Sequence, residues 1–252
     1  LLTTSWDDGH PLDMRVAERL AAHELPGTFY VPKQPGFPVI GPTDIRALQD
    51  MGFEIGAHTL NHGTITDCGE EAAREQIKGS RAWVESVTGR SCAMFCFPKG
   101  RFGLRDLNLA AEAGFFGVRG VEYLSTEWPR QTAGIWVMAT TVQTVRQTRM
   151  RMARNLVSRY RWRRLILRLP EILHAKEWVR VGLRIAKEVR DQGGVFHLWG
   201  HSWEIESNDS WKDLEYVFSG LADMFPQEAR LGNGGVCSTA GATRQEVQRC
   251  RD

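Results

Sequence analysis

The 252-residue sequence lacks a long apolar run and a paired pattern of cysteines. No stretch approaches the roughly 18 consecutive apolar residues of a bilayer-crossing helix. No charged start followed by an apolar run marks a secretory leader. The five cysteines, Cys68, Cys92, Cys96, Cys237 and Cys250, are odd in number and contain no CxxC pair, which disfavours a disulfide framework. These absences tilt the expected localisation towards the cytoplasm. No internal repeat of fixed period is present, and no sign of charge dominates, with 32 Lys and Arg against 30 Asp and Glu.

What is present suits one large globular domain: 42% hydrophobic and 25% charged residues, at a length where α/β barrels often fold as a unit. The balanced total hides an uneven distribution. From Arg146 to Arg190 there are fourteen Lys and Arg and three Asp and Glu, including RYRWRR at Arg159 to Arg164. Such a block reads either as an anion-facing surface or as a solvated face of an amphipathic helix.

Short strand-like runs alternate with helix-like runs. LLTTSW, GTFYVP, FEIGAHT, CAMFCFP, FFGVRG, GIWVMATT and GGVFHLWGHS read as strands. Between them lie helical patterns, among them Pro11 to His23, TDIRALQDMG with Thr43 as its cap, GEEAAREQIKGSRAWVESVTG stopped by Gly89, LRDLNLAAEAG and SWKDLEYVFSGLADMF. Repeated βα units predict a mainly parallel sheet, open or closed into a barrel. The tail from Gln227 to Asp252 shows little apolar periodicity and reads as a loosely attached C-terminal extension to a domain spanning 1–226.

Four polar clusters sit where strands end, the side of a parallel barrel on which active sites gather. Asp7-Asp8-Gly9 can serve one pocket only if the chain turns there, because successive strand side chains point to opposite faces, and Gly9 permits the turn. Alone it is an ordinary turn sequence, and His10 beyond it reads as a cap for the following helix. His58 and His62 are four apart, a spacing that on a helical turn offers two imidazoles to one divalent ion. Phe95 to Gly103 (FCFPKGRFG) reads as a rigid loop whose amides could face an oxyanion, with Lys99 facing an anionic substrate. His197, Trp199 and His201 alternate along a strand and project to one face, with Trp203 two residues on. Two histidines and an aromatic plate could enter one pocket, or one histidine could be a buried structural residue. One aspartate with two histidines is a facial ligand set for Zn²⁺, Co²⁺ or Fe²⁺, and a second carboxylate and another histidine supply a base and an acid for metal-assisted hydrolysis of an amide or ester.

In order and spacing, TSWDDG, HTLNH, CFPKG and HLWGHSW resemble the motifs of the polysaccharide deacetylase family, also called the NodB-homology domain or carbohydrate esterase family 4. The resemblance spans Thr3 to about Glu206. It implies an α/β fold, a deformed, NodB-like (β/α) barrel of about seven strands, and a metal-dependent N-deacetylase of carbohydrate metabolism. It further implies Asp7 as general base, Asp8, His58 and His62 as ligands of one divalent ion, Zn²⁺ first with Co²⁺, Ni²⁺ or Fe²⁺ as substitutes, and the Lys99 backbone amide at the oxyanion. His201 is favoured over His197 as the acid because it lies nearer the strand's C-terminal end. Pro98, Lys99, Gly100, His197, Trp199 and Trp203 are the expected substrate contacts.

The sequence departs from the family pattern in three places. Cys96 stands where the third motif has arginine, and Arg119, or else Arg101, is the candidate to supply the missing guanidinium to the base. The fourth motif's acid is not evident, with Glu122 and Glu127 as stand-ins. Lys99 replaces an aromatic, and with the basic block it suggests an anionic group on the N-acetylated sugar or glycoconjugate substrate, or a membrane surface. Related members hydrolyse cyclic imides and ureides, which is the alternative activity. A non-catalytic anion-binding protein is disfavoured because both carboxylates and both histidines are intact, and no nucleic acid partner is expected.

Overall fold

The computed structural model describes residues 1–145 and 177–249. Among the described residues nine strands form one curled sheet: β1 (Leu2–Asp7), β2 (Thr28–Val31), β3 (Glu54–Ala57), β4 (Met94–Cys96), β5 (Gly117–Arg119), β6 (Arg130–Thr132), β7 (Ile135–Met138), β8 (Val142–Gln143) and β9 (Phe196–Gly200). Their order is β6-β7-β5-β4-β3-β2-β1-β9-β8, and every pairing is parallel except that of β6 with β7. With two edges left, the sheet is a half-barrel, the deformed barrel expected from the sequence. The seven strands read from the sequence are all present. The two additional ones carry almost no signal, since β8 is two residues long and all three residues of β6 are exposed and polar.

Alternation along the strands sorts the sheet into two cores. Outward residues such as Leu2, Trp6, Phe29, Val31, Phe95, Val118, Phe196 and Leu198 pack with helix residues including Val16, Leu20, Ile45, Leu48, Ile77, Ile185, Leu214 and Phe218. These helices are amphipathic: in Asp13–Ala22 only Asp13, Val16, Ala17 and Leu20 are buried, one stripe at helical spacing. Fully burying each large apolar side chain contributes about 1.5–3 kcal/mol, so this layer dominates the stability. Inward residues are far more polar. Thr3, Ser5 and Asp7 of β1 pair in turn with Asn233, His197 and Arg119, all buried.

Helix boundaries follow the expected start and stop chemistry with small shifts. The second helix runs Pro42–Asp50 with Gly41 as its cap, not Thr43, and Pro42 occupies the first helical position where its missing N–H costs nothing. Glu70–Thr88 stops at Gly89, which takes φ +65°. His10 Nδ1 accepts from the Leu12 backbone amide at 3.2 Å, just before the helix Asp13–Ala22. The basic segment expected as helix at 146–190 lies outside the described residues up to residue 176, RYRWRR included. Its last part falls in the helix Trp178–Gln192.

The C-terminal extension is corrected by the structure, because it is built into the domain. Helix Asn233–Arg249 closes the end of the half-barrel at which the strands begin. Asn233 accepts from Thr3 Oγ1 and donates to the Tyr30 hydroxyl, both at 2.8 Å. Val236 and Cys237 are fully buried against Tyr30, Met94, Cys96 and Trp136. The Gly234 amide, at the helix's positive end, donates to the Glu54 carboxylate at 3.1 Å. A Cβ on Gly234 would stand 2.4 Å from Glu54 Oε1, so a side chain there would push the carboxylate from its present place. Over its described side chains, residues 233–242, the helix buries mostly small residues, which is why its apolar period is faint there.

Candidate active site

The site is assembled from the chain segments that leave β1, β3, β4, β5 and β9. At the end of β1 the chain turns through Asp8 and Gly9, with φ +78° and +60°. A side chain at Gly9 would meet Val31 Cγ1 at 2.7 Å, so glycine is required by space as well as by conformation. The turn points Asp7 into the half-barrel and brings Asp8 over its rim, so two adjacent carboxylates serve one pocket.

Asp8 Oδ1 lies 3.0 Å from His62 Nε2 and 3.7 Å from His58 Nε2. The two histidines do not share a helical turn. His58 follows β3, and the loop after it reverses through positive φ at Thr59 (+65°) and His62 (+59°), bringing the rings to 4.9 Å. His58 Nδ1 donates to the Cys96 carbonyl at 2.7 Å, which leaves Nε2 as the free lone pair facing Asp8. Burial alone would raise the Asp8 carboxyl, but the His58 and His62 imidazoles facing it and the charge of His201 hold it well below the usual carboxylate range. One carboxylate and two imidazoles whose ligand atoms all lie within 4.8 Å of one another fit a single Zn²⁺-class ion. Asp7, His58 and Cys96 form a second such group, but the Arg119 guanidinium against Asp7 repels a cation there, so the Asp8 group is the better cradle.

The missing arginine of the third motif is replaced in space. Arg119 lies in register with Cys96 on the adjacent parallel strand β5 and its Nη2 donates to Asp7 Oδ1. The guanidinium is fully buried, with its Cζ 5.3 Å from the Tyr30 ring centre and 4.9 Å from that of Trp199. Burial opposes its charge, but Asp7 beside it more than compensates, and its pKa lies above the ordinary arginine value. Cys96 itself is buried and its thiol is pushed well above its normal range, first by burial, so it stays neutral.

His201 stands across from the ligand cluster, with Nε2 3.8 Å from Asp8 Oδ2 and Nδ1 donating to Glu204 Oε2 at 2.7 Å. Gln143 of β8 donates to the same Glu204 oxygen at 2.9 Å. Burial works against a charged His201, but the Glu204 hydrogen bond and the Asp7 and Asp8 charges outweigh it and raise its pKa. Trp203 is 41% exposed beside it.

His197 and Trp199 are corrected as substrate contacts. His197 is 1% exposed and spends both ring nitrogens internally, on the Ala139 carbonyl at 2.9 Å and the Ser5 hydroxyl at 2.8 Å. Burial, followed by the Arg119 charge, depresses its pKa to about 3, so it is neutral. Trp199 is buried with its ring against Arg119 and His201. Pro98 and Gly100 are also buried, and they shape the loop instead of presenting surface. A Cβ on Gly100 would fall 2.1 Å from Val121 Cγ2. Lys99, at φ +59°, is the exposed residue of that turn. Glu122 and Glu127 pair with Arg130, each at 3.5 Å.

Sequence reading placed Glu204 in the last motif without a role, and missed Gln143 and Asp13. Glu204 was detectable, because a carboxylate three residues after a histidine at a helix start can reach back to the ring. Asp13 was hidden in a helical pattern. It is fully buried, accepts from Ser202 Oγ, and its carboxyl is pushed well above the usual range by burial.

Residues 1–118 match the family model described as polysaccharide deacetylase, which bears out the resemblance carried by the motifs. No curated protein matches the chain in sequence. A protein from Mycobacterium smegmatis assigned to the polysaccharide deacetylases is 15% identical, with a TM-score of 0.68 over 96% of this chain and 91% of that one. The peptidoglycan deacetylase PdaC from Bacillus subtilis is 14% identical, with a TM-score of 0.56 over 100% and 96%. A family pseudoenzyme from Bacillus anthracis, 13% identical, has a TM-score of 0.54 over 92% and 63%. The fold is therefore shared by enzymes and by a pseudoenzyme, and activity has to be argued from the site.

Proposed function

We propose that this chain is a metal-dependent hydrolase that removes an N-acetyl or other N-acyl group from an amino sugar in a polysaccharide or glycoconjugate. The observation that carries the reading is the division of two adjacent carboxylates, Asp7 held by a buried arginine and Asp8 facing two histidines, with a third histidine opposite. Asp8, His58 and His62 would hold the ion, Zn²⁺ before Co²⁺, Ni²⁺ or Fe²⁺, which supplies Lewis-acid polarisation of the acyl carbonyl and a more acidic water.

The chain's own residues do the rest. Asp7 takes the proton of the attacking water, and Arg119 fixes the carboxylate's orientation. The Lys99 backbone amide, at the apex of its tight turn, serves the oxyanion. Glu204 accepts from Nδ1–H of His201 and stabilises its imidazolium form, whose Nε2–H on the Asp8 side delivers a proton to the departing amine and leaves the neutral Nδ1–H ring. The exposed Lys99 ammonium favours a substrate carrying an anionic group near the acylated nitrogen.

The test is acetate release and product mass on a panel of N-acetylated glycans and sugar conjugates, with cyclic imides as the competing substrate class. Asp7→Asn and His58→Ala should each lose at least a hundredfold in turnover, and chelation should abolish activity that Zn²⁺ restores. If both variants matched wild type, or if ring opening outran acetate release, the reading would be wrong.

A further inference from the structure

Trp203 makes a contact that a substrate plate does not need. Although 41% of its surface is exposed at the rim of the site, its indole N–H points inward and donates to Asp8 Oδ2 at 3.0 Å. The two oxygens of Asp8 thereby face different neighbours. Oδ1 looks at His62 Nε2 (3.0 Å) and His58 Nε2 (3.7 Å), whereas Oδ2 is engaged by Trp203 and lies 3.8 Å from His201 Nε2.

A carboxylate free to rotate can give an ion both oxygens. One whose second oxygen is committed to a donor gives only the first, and in a fixed direction. Backbone geometry limits the alternatives, because Asp8 sits at φ +78° and is followed by a glycine that tolerates no Cβ. The indole ring also lies tilted on His201, with centres 5.4 Å apart and planes at 37°. One side chain thus touches both the carboxylate facing the histidine pair and the histidine opposite.

We infer that Trp203 is a positioning residue of the ion site, its indole N–H holding Asp8 as a one-oxygen ligand for a divalent cation. The inference rests on the metal reading above and adds to it a residue whose role is separable from substrate contact. Two substitutions separate the roles. Trp203→Phe keeps an aromatic plate and removes the donor. Trp203→Gln keeps an N–H at similar reach and removes the plate.

The experiment titrates the metal-free full-length protein with Zn²⁺ against a chromophoric chelator, and with Co²⁺ followed by visible absorption. Trp203→Phe should weaken Zn²⁺ binding about tenfold and lower the Co²⁺ band intensity as the second carboxylate oxygen joins the ion. Trp203→Gln should stay within about threefold of wild type in Zn²⁺ affinity. Thermal melts of the metal-free forms should coincide, since the side chain is half outside the core. Trp203→Phe binding within twofold of wild type, or Trp203→Gln as weak as Trp203→Phe, would overturn the inference while leaving the metal site standing. Wild type failing to bind Zn²⁺, or Asp8→Ala binding as tightly as wild type, would remove the metal reading and this inference with it.

Discussion

Burying His197 inside the half-barrel has a measurable consequence that does not depend on any activity. The ring is neutral in the folded protein, its Nδ1–H donated to Ala139 and its Nε2 accepting from Ser5, and its pKa falls from the ordinary 6.5 to about 3. Between those two values the unfolded chain binds a proton that the folded chain refuses. The stability this group contributes is therefore complete above pH 6.5 and declines as the pH drops towards 3. At pH 5.0 the loss is about 2 kcal/mol, from about 1.4 kcal/mol per unit over roughly 1.5 units. His197→Gln is the useful comparison, because its amide can donate to Ala139 and accept from Ser5 without titrating. Urea unfolding of both proteins at pH 7.5 and 5.0, with chelator present, gives the difference directly. Other titrating groups are common to the pair and cancel. Wild type should lose about 2 kcal/mol more than the variant, and an unchanged gap would refute the assignment of His197 as a buried neutral ring.

Two further substitutions probe the interior. Arg119→Met strands the Asp7 carboxylate in a buried setting and should cost about 3–5 kcal/mol in unfolding free energy, whereas Arg119→Lys keeps a cation and should cost less and retain more acetate release. Val236→Asp places a carboxylate in the inner apolar cluster and should destabilise by more than about 3 kcal/mol, with dye binding to exposed apolar surface. A loosely attached tail would tolerate that change with no shift in melting temperature.

The legible parts of the fold were those in which burial dictates a period. The seven principal strands and the helix ending at Gly89 announce themselves because each buries one face or needs one turn residue. β6 escaped because its three residues are exposed, and β8 because two residues have no period. The same reasoning explains the site. Asp8, His58 and His62 could be read from their positions at strand ends, although the histidines converge by a loop with left-handed residues and not by a helical turn. His197 and His201, four apart on one line of sequence, could not be told apart by spacing. Only burial and partners separate them: one ring is spent on Ser5 and Ala139, while the other is oriented by Glu204 and faces Asp8.

Arg119 shows what a parallel sheet permits that a linear motif hides. Residues in register on neighbouring strands stand about 4.8 Å apart and share a face, so a group lost from one strand can be supplied by the next at the same height. Cys96 and Arg119 are such a pair, and both point into the half-barrel under Asp7. A small neutral thiol on β4 leaves room for the guanidinium arriving from β5, where an arginine at both positions would have put two buried cations side by side. The departure from the family's third motif and the arginine on the following strand are therefore one feature of the structure. Reverting the pair together, Cys96→Arg with Arg119→Val, should be tolerated better than Cys96→Arg alone, and equal destabilisation of the single and double variants would break the link between them.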